Sequence, residues 1–115
     1  DLELIRQLKE KVGVSGVKDA TFDIQTMAKY MRLLKSDTFD VALGTEAMWL
    51  SACVLGCKAF IPGIANAFPE ICKKMFEEGI SGNYEACRQT QFEVNEMREI
   101  MYLARSTQLA IYAML

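Results

Sequence analysis

Val14-Ser15-Gly16-Val17-Lys18-Asp19 is a short β-prone run set between two amphipathic helical segments, and its reading decides the fold. Upstream, Leu2, Ile5, Leu8 and Val12 recur at helical spacing, which predicts a helix over about Asp1 to Val12 that Gly13 stops. Downstream, Asp23 is placed to cap a helix whose stripe is Ile24, Met27, Met31 and Leu34, ending near Ser36. A second strand run, Phe39-Asp40-Val41-Ala42-Leu43-Gly44, follows at once. Strand, helix and strand in that order are the start of a parallel βαβ sheet.

The pattern continues toward the C-terminus. Thr45 can cap a helix from Glu46 to Leu55, with Gly56 at its stop. Lys58-Ala59-Phe60-Ile61-Pro62-Gly63 is a third strand, with Pro62 near the end, where a missing N–H does least harm. Pro69 suits the first turn of a helix over about Phe68 to Glu78, which Gly79 and Ser81-Gly82 end. A longer helix is predicted from Asn83 to about Ala104, with Tyr84, Cys87, Gln91, Val94, Met97 and Met101 near one face. Ser106 or Thr107 can cap a last short helix to Leu115. The strand centres Val17, Ala42 and Phe60 lie 25 and 18 residues apart, as successive βα units require, and right-handed crossovers put the helices outside. Three parallel strands leave two open edges, and a complete (β/α)₈ barrel takes about 250 residues. The expected organisation is a partial barrel over residues 1–82 and a helical extension over 83–115.

Composition narrows the function. The chain has 115 residues, 51% hydrophobic and 24% charged, with 2 Pro, which excludes a disordered tail, a collagen-like fibre and a low-complexity linker. Its formal net charge is −2, a poor footprint for nucleic acid, so no nucleic-acid partner is expected. The longest charge-free apolar stretch, Ala47 to Cys57, is 11 residues, short of the roughly 20 that span a bilayer, so no membrane association is expected. The chain opens Asp1-Leu2-Glu3, with neither an initiator Met nor the basic and apolar regions of a signal peptide. A start within a longer protein, or a processed or trimmed chain, is the expectation. Cys53, Cys57, Cys72 and Cys87 form no CxxC, fit no common structural-zinc spacing, and are expected as buried thiols rather than metal ligands or disulfides. The chain has no His, which removes Ser-His-Asp and Cys-His chemistry. Acid–base work falls to Lys, Asp, Glu or Tyr.

Lys18 is the residue whose position asks for an explanation. If Val17 points to the helices, alternation sends Gly16 and Lys18 to the barrel interior and Asp19 away from Lys18. A lysine there loses hydration, which favours the neutral amine that attacks carbonyl carbon. The alternative is a strand-end lysine that snorkels into water.

Four stretches carry a family resemblance. Val14-Ser15-Gly16-Val17-Lys18-Asp19-Ala20-Thr21 resembles the Schiff-base lysine strand of the dihydrodipicolinate synthase/N-acetylneuraminate lyase family. Leu43-Gly44-Thr45-Glu46 is similar to the end of that family's next strand. Gly56-Cys57-Lys58-Ala59-Phe60-Ile61-Pro62-Gly63-Ile64-Ala65-Asn66, followed by Pro69-Glu70, resembles the last barrel strand and its helix entry, and Gly79 to Ala86 the turn before the long C-terminal helix. The matches run in order over nearly the whole chain.

The resemblance implies an α/β fold, the C-terminal part of a TIM (β/α)₈ barrel with strands six to eight and part of a helical extension. It implies a lyase or aldolase acting on pyruvate or another 2-oxo acid, with Lys18 as catalytic residue and with neither cofactor nor metal. Gly44 and Ile61 would bring backbone carbonyls to the imine and the substrate carboxylate. Glu46 falls where sugar-acid members carry a hydroxyl-binding Asp, and so tilts the substrate toward a hydroxylated sugar acid. Considered alone, Gly44 also suits a strand-to-helix turn, and Glu46 a first-turn acid favoured by the helix dipole. Pro62 and Gly63 depart from the Ser or Thr that many members place near substrate. The family's relay Tyr and carboxylate-binding loop lie on earlier strands, whereas Tyr30, Tyr84, Tyr102 and Tyr112 fall on helices. A cytoplasmic homotetramer is implied as well. The competing reading is a non-catalytic half-barrel that assembles with itself or with an N-terminal half. A helical interaction module over Asn83 to Leu115 is weaker, because Gln91 breaks the apolar face and no heptad persists.

Overall fold

A computed structural model describes residues 1–115 of the chain. Helix α1 (Leu2–Gln7) is capped by the Asp1 carboxylate, which accepts from the Leu4 N–H at 3.1 Å, and runs on into a π-helical turn over Leu8–Val12. Gly13 ends that turn at φ 79°, a left-handed conformation that a side chain disfavours. Strand β1 (Gly16–Asp19) follows, then α2 (Ile24–Leu33) with Asp23 capping the Gln25 N–H at 2.9 Å. Strand β2 (Asp40–Leu43) leads through Thr45, whose hydroxyl accepts from the Ala47 N–H, into a 3₁₀ turn at Glu46–Met48 and α3 (Trp49–Val54). Strand β3 is only Ala59–Phe60, and a 3₁₀ turn at Gly63–Asn66, which periodicity does not reveal, separates it from α4 (Pro69–Ile80). Helices α5 (Tyr84–Met101, capped by Asn83) and α6 (Thr107–Met114, capped by Ser106) close the chain.

The three strands form one parallel sheet in the order β1-β2-β3. Its ladder runs past the strand ends, with Gly44 N–H donating to Asp19 at 2.7 Å and Ile61 N–H to Leu43 at 2.9 Å. The strands are shorter than their apolar runs: β1 starts at Gly16, after Val14 and Ser15, and β3 ends at Phe60, ahead of the 3₁₀ turn at Gly63–Asn66.

All the helices that pack on the sheet cover one face. Val41, Leu43 and the partly buried Val17 and Phe60 meet Met27, Tyr30, Leu34, Trp49, Ala52 and Met75 there. Trp49 is the centre of this layer, fully buried and stacked on Phe60 and Phe76 at 4.6 and 5.2 Å between ring centroids. Its indole N–H is satisfied by the Met75 carbonyl at 3.0 Å, which a buried donor requires. Cys87 and Val94 of α5 belong to the same core, so the long helix is part of the layer that covers the sheet. A smaller cluster of Ile64, Cys72, Met101 and Ala110 seats α6.

Candidate active site

Strand alternation gives the sheet a second, helix-free face. Register aligns Gly16 with Asp40, Lys18 with Ala42, and Ala42 with Ala59, so that face carries Lys18 beside two methyl side chains. Lys18 is exposed there, and its ammonium makes neither a hydrogen bond nor an ion pair with the rest of the chain. Asp19 faces the helices, 4% exposed, and its carboxylate accepts the Thr21 N–H at 3.0 Å, which closes the turn after β1.

The stem of Lys18 lies across Gly44. A β-carbon at Gly44 would stand 3.0 Å from Lys18 Cε, 3.0 Å from Ala20 Cβ and 3.1 Å from the Asp19 carbonyl, so a methyl there would press these neighbours back by a few tenths of an ångström. Gly44 and Ile61 end the ladders of β2 and β3, and neither carbonyl accepts a hydrogen bond from the chain. The Ile61 side chain is half exposed. Lys18, Gly44 and Ile61 thus occupy the same end of the sheet, the one toward which all three parallel strands run.

Glu46 lies elsewhere. The sequence reading makes it an acceptor for substrate hydroxyls, but its side chain is only 3% exposed and its Oε1 is 2.9 Å from Arg98 Nη1 on α5. A carboxylate committed to a buried guanidinium is not presented on the open face. Beside this pair, Gln91 donates to the Glu46 carbonyl at 2.7 Å and accepts the Leu50 N–H at 3.1 Å, while Asn95 donates to the Ala47 carbonyl at 3.4 Å. The Arg98 guanidinium also donates to the Tyr102 hydroxyl and lies 5.2 Å from the ring centroids of Phe22 and Tyr102. The sequence reading treats Gln91 as a break in an apolar face and leaves Asn95 and Arg98 unremarked. Their i, i+4, i+7 spacing on one helix was the available signal.

The four cysteines are free thiols. Burial pushes all of them up, Cys72 and Cys87 to about 11, which suppresses the reactive thiolate. No group of three or more acidic or Cys side chains is arranged to hold a metal ion. A cleft of about 320 Å³ between Phe60, Pro62, Pro69 and Phe76 lies behind β3, on the helix side of the sheet and away from Lys18. No helix is long and apolar enough to cross a membrane.

Comparison with known proteins agrees with this architecture. Residues 1–115 match the model of the Dihydrodipicolinate synthetase family. The chain is 27% identical over 101 residues to the 4-hydroxy-tetrahydrodipicolinate synthase of Archaeoglobus fulgidus, covering 88% of the chain and 35% of that relative. It is 27% identical over 100 residues to the enzyme of the same name from Methanospirillum hungatei, covering 87% of the chain and 34% of that relative. The crystal structure of dihydrodipicolinate synthase from Aquifex aeolicus superposes with a TM-score of 0.77 at 16% identity, over 90% of the chain and 35% of its own length. The chain therefore spans about a third of the length of the relatives it matches, and its three strands and outer helices are part of a (β/α)₈ barrel. By sequence match and by fold, this chain belongs to the dihydrodipicolinate synthetase family.

Proposed function

We propose that the protein is a Schiff-base lyase acting on pyruvate or another 2-oxo acid, with Lys18 as its nucleophile. One observation carries this reading: in a chain of this family, Lys18 stands unpaired on the helix-free face with its stem against Gly44, at the strand ends where (β/α)₈ enzymes do their chemistry. The neutral Lys18 amine adds to the ketone carbon, and the carbinolamine loses water to give a protonated imine. The imine accepts an electron pair. Either a carbon–carbon bond of the bound acid breaks, releasing the far part as an aldehyde and leaving an enamine that takes up a proton to return to the imine, or an enamine formed by loss of a proton attacks an aldehyde, whose oxygen takes up a proton as the imine forms again. Water then returns the amine and releases the 2-oxo acid. The free carbonyls of Gly44 and Ile61 are the acceptors proposed to face the protonated imine, whose N–H is the donor they can take.

The synthase direction is favoured over sugar-acid cleavage. Relatives from two archaea are named 4-hydroxy-tetrahydrodipicolinate synthase, and the engagement of Glu46 with Arg98 removes the argument for a polyol substrate. The bare face and the uncovered edges of β1 and β3 support a barrel completed by further strands, which would also bring the proton-relaying group and the carboxylate-binding loop. A cytoplasmic homotetramer is the assembly we propose, and light scattering on the purified protein checks it.

Borohydride reduction in the presence of pyruvate tests the chemistry. The protein should gain one reduced pyruvate by intact mass, and the Lys18→Arg variant should gain none. A protein of its relatives' length that takes up no pyruvate would refute the proposal.

A further inference from the structure

The polar stripe on α5 has no role in the chemistry just proposed, yet Gln91 and Arg98 are buried, Asn95 is partly buried, and all three are engaged. Gln91, Asn95 and Arg98 all address one short segment, the turn from the end of β2 into α3, through the Glu46 and Ala47 carbonyls, the Leu50 N–H and the Glu46 carboxylate. That segment begins at Gly44, whose backbone supports the Lys18 stem. The Arg98 guanidinium reaches a second strand end as well, because Phe22, in the turn after β1, lies over it. Phe22 holds φ 60°, a left-handed conformation uncommon for a bulky residue and sustained only where the surroundings impose it. One side chain on α5 therefore ties the ends of β1 and β2 together.

We propose that Arg98, with Gln91 and Asn95, forms a positioning seam: it fixes the Gly44–Glu46 turn and the Phe22 turn, and through them the place of the Lys18 amine. This rests on the reading of Lys18 as nucleophile. Reaction at a carbonyl carbon requires the amine in a narrow range of approach, and a misplacement of about 1 Å can cost about a hundredfold in rate. A seam on a long helix, anchored in the core through Cys87 and Val94, holds the turn from outside the reacting centre. Glu46 then acts as the anchor for Arg98.

The test uses the full-length protein and one double variant. Arg98→Met alone leaves the Glu46 carboxylate buried without a partner and can unfold the chain. The double variant Glu46→Gln/Arg98→Met removes that charge and keeps both side chains near their volume. Two readouts are taken on the double variant: amide hydrogen exchange, residue by residue, and the rate of borohydride trapping with pyruvate. The seam predicts a cooperatively folded protein with faster exchange at Ala47 and Leu50 and unchanged exchange at Val41 and Leu43. It also predicts trapping slowed by about tenfold to a hundredfold, with little change in the pyruvate concentration at half-maximal rate. Parent-like exchange and trapping in the folded double variant would overturn the proposal. A parent protein that traps no pyruvate overturns the lysine reading instead, and exchange at Ala47 and Leu50 then still decides whether the seam holds the turn.

Discussion

The two faces of the one sheet are built from the same three strands and share almost nothing else. Toward the helices, Val17, Val41, Leu43 and Phe60 enter a close-packed layer around Trp49 and Met75. On the other face, Gly16, Lys18, Asp40, Ala42 and Ala59 meet no helix, and Lys18 stands beside the small side chains of Ala42 and Ala59. Residues one apart in sequence, such as Val17 and Lys18, thus belong to different physical regimes. One face carries the stability, and the other leaves Lys18 open to solvent. Substitutions should separate the two.

The largest loss of stability is expected at Trp49. Trp49→Ala deletes a fully buried ring stacked on Phe60 and Phe76 and removes the indole hydrogen bond to the Met75 carbonyl, which should cost about 3–5 kcal/mol in urea unfolding. Gly79→Ala attacks the same layer from α4. Its new methyl would stand 2.6 Å from the indole nitrogen and 3.1 Å from Cys53 Sγ, an overpacking worth about 1–3 kcal/mol. A Gly79→Ala protein as stable as its parent would mean that Trp49 is less tightly held than its contacts indicate.

Thiol chemistry reports on the covered face without a substitution. Burial holds Cys72 and Cys87 near 11 and raises Cys57, so at pH 8 these three should alkylate far more slowly in the native protein than in urea. Rapid native labelling of Cys57, which sits beneath β2, would mean that the layer opens locally.

Effects on the open face should be smaller. Asp40 is held below its ordinary value of 3.8, first by the hydrogen bond from Lys35 at 2.7 Å. Because its folded value is depressed, the stability it contributes is present above the ordinary carboxylate range and is lost as pH falls through the lowered value. Half-exposed and screened, the pair should give a slope in unfolding midpoint below about pH 4 that Asp40→Asn flattens. Smallest of all, Lys18→Met should change stability by no more than about 0.5 kcal/mol, because the side chain is exposed and unpaired. The same substitution should abolish pyruvate trapping.

Much of this division was legible in the sequence. The three parallel strands, the caps at Asp23 and Thr45, a cap at Ser106 or Thr107, and the opposite facing of Lys18 and Asp19 follow from periodicity and alternation. Short-range signals carry these features. The seam was not legible, because Gln91 lies 41 residues from Leu50 and a polar residue on an apolar stripe declares no partner until the chain is folded. The engagement of Glu46 was hidden for the same reason: a first-turn acid has a local explanation, and its ion pair with Arg98 is a tertiary one. The π-helical turn at Leu8–Val12 and the left-handed Phe22 likewise have no local sequence signature.

Peptide mapping of the borohydride-trapped protein is the most direct test of the division between the faces. The account predicts a single reduced pyruvate on the peptide that contains Lys18, with Lys58, Lys73 and Lys74 unmodified. Pyruvate on any of those lysines in place of Lys18, or none on the full-length protein, would contradict it.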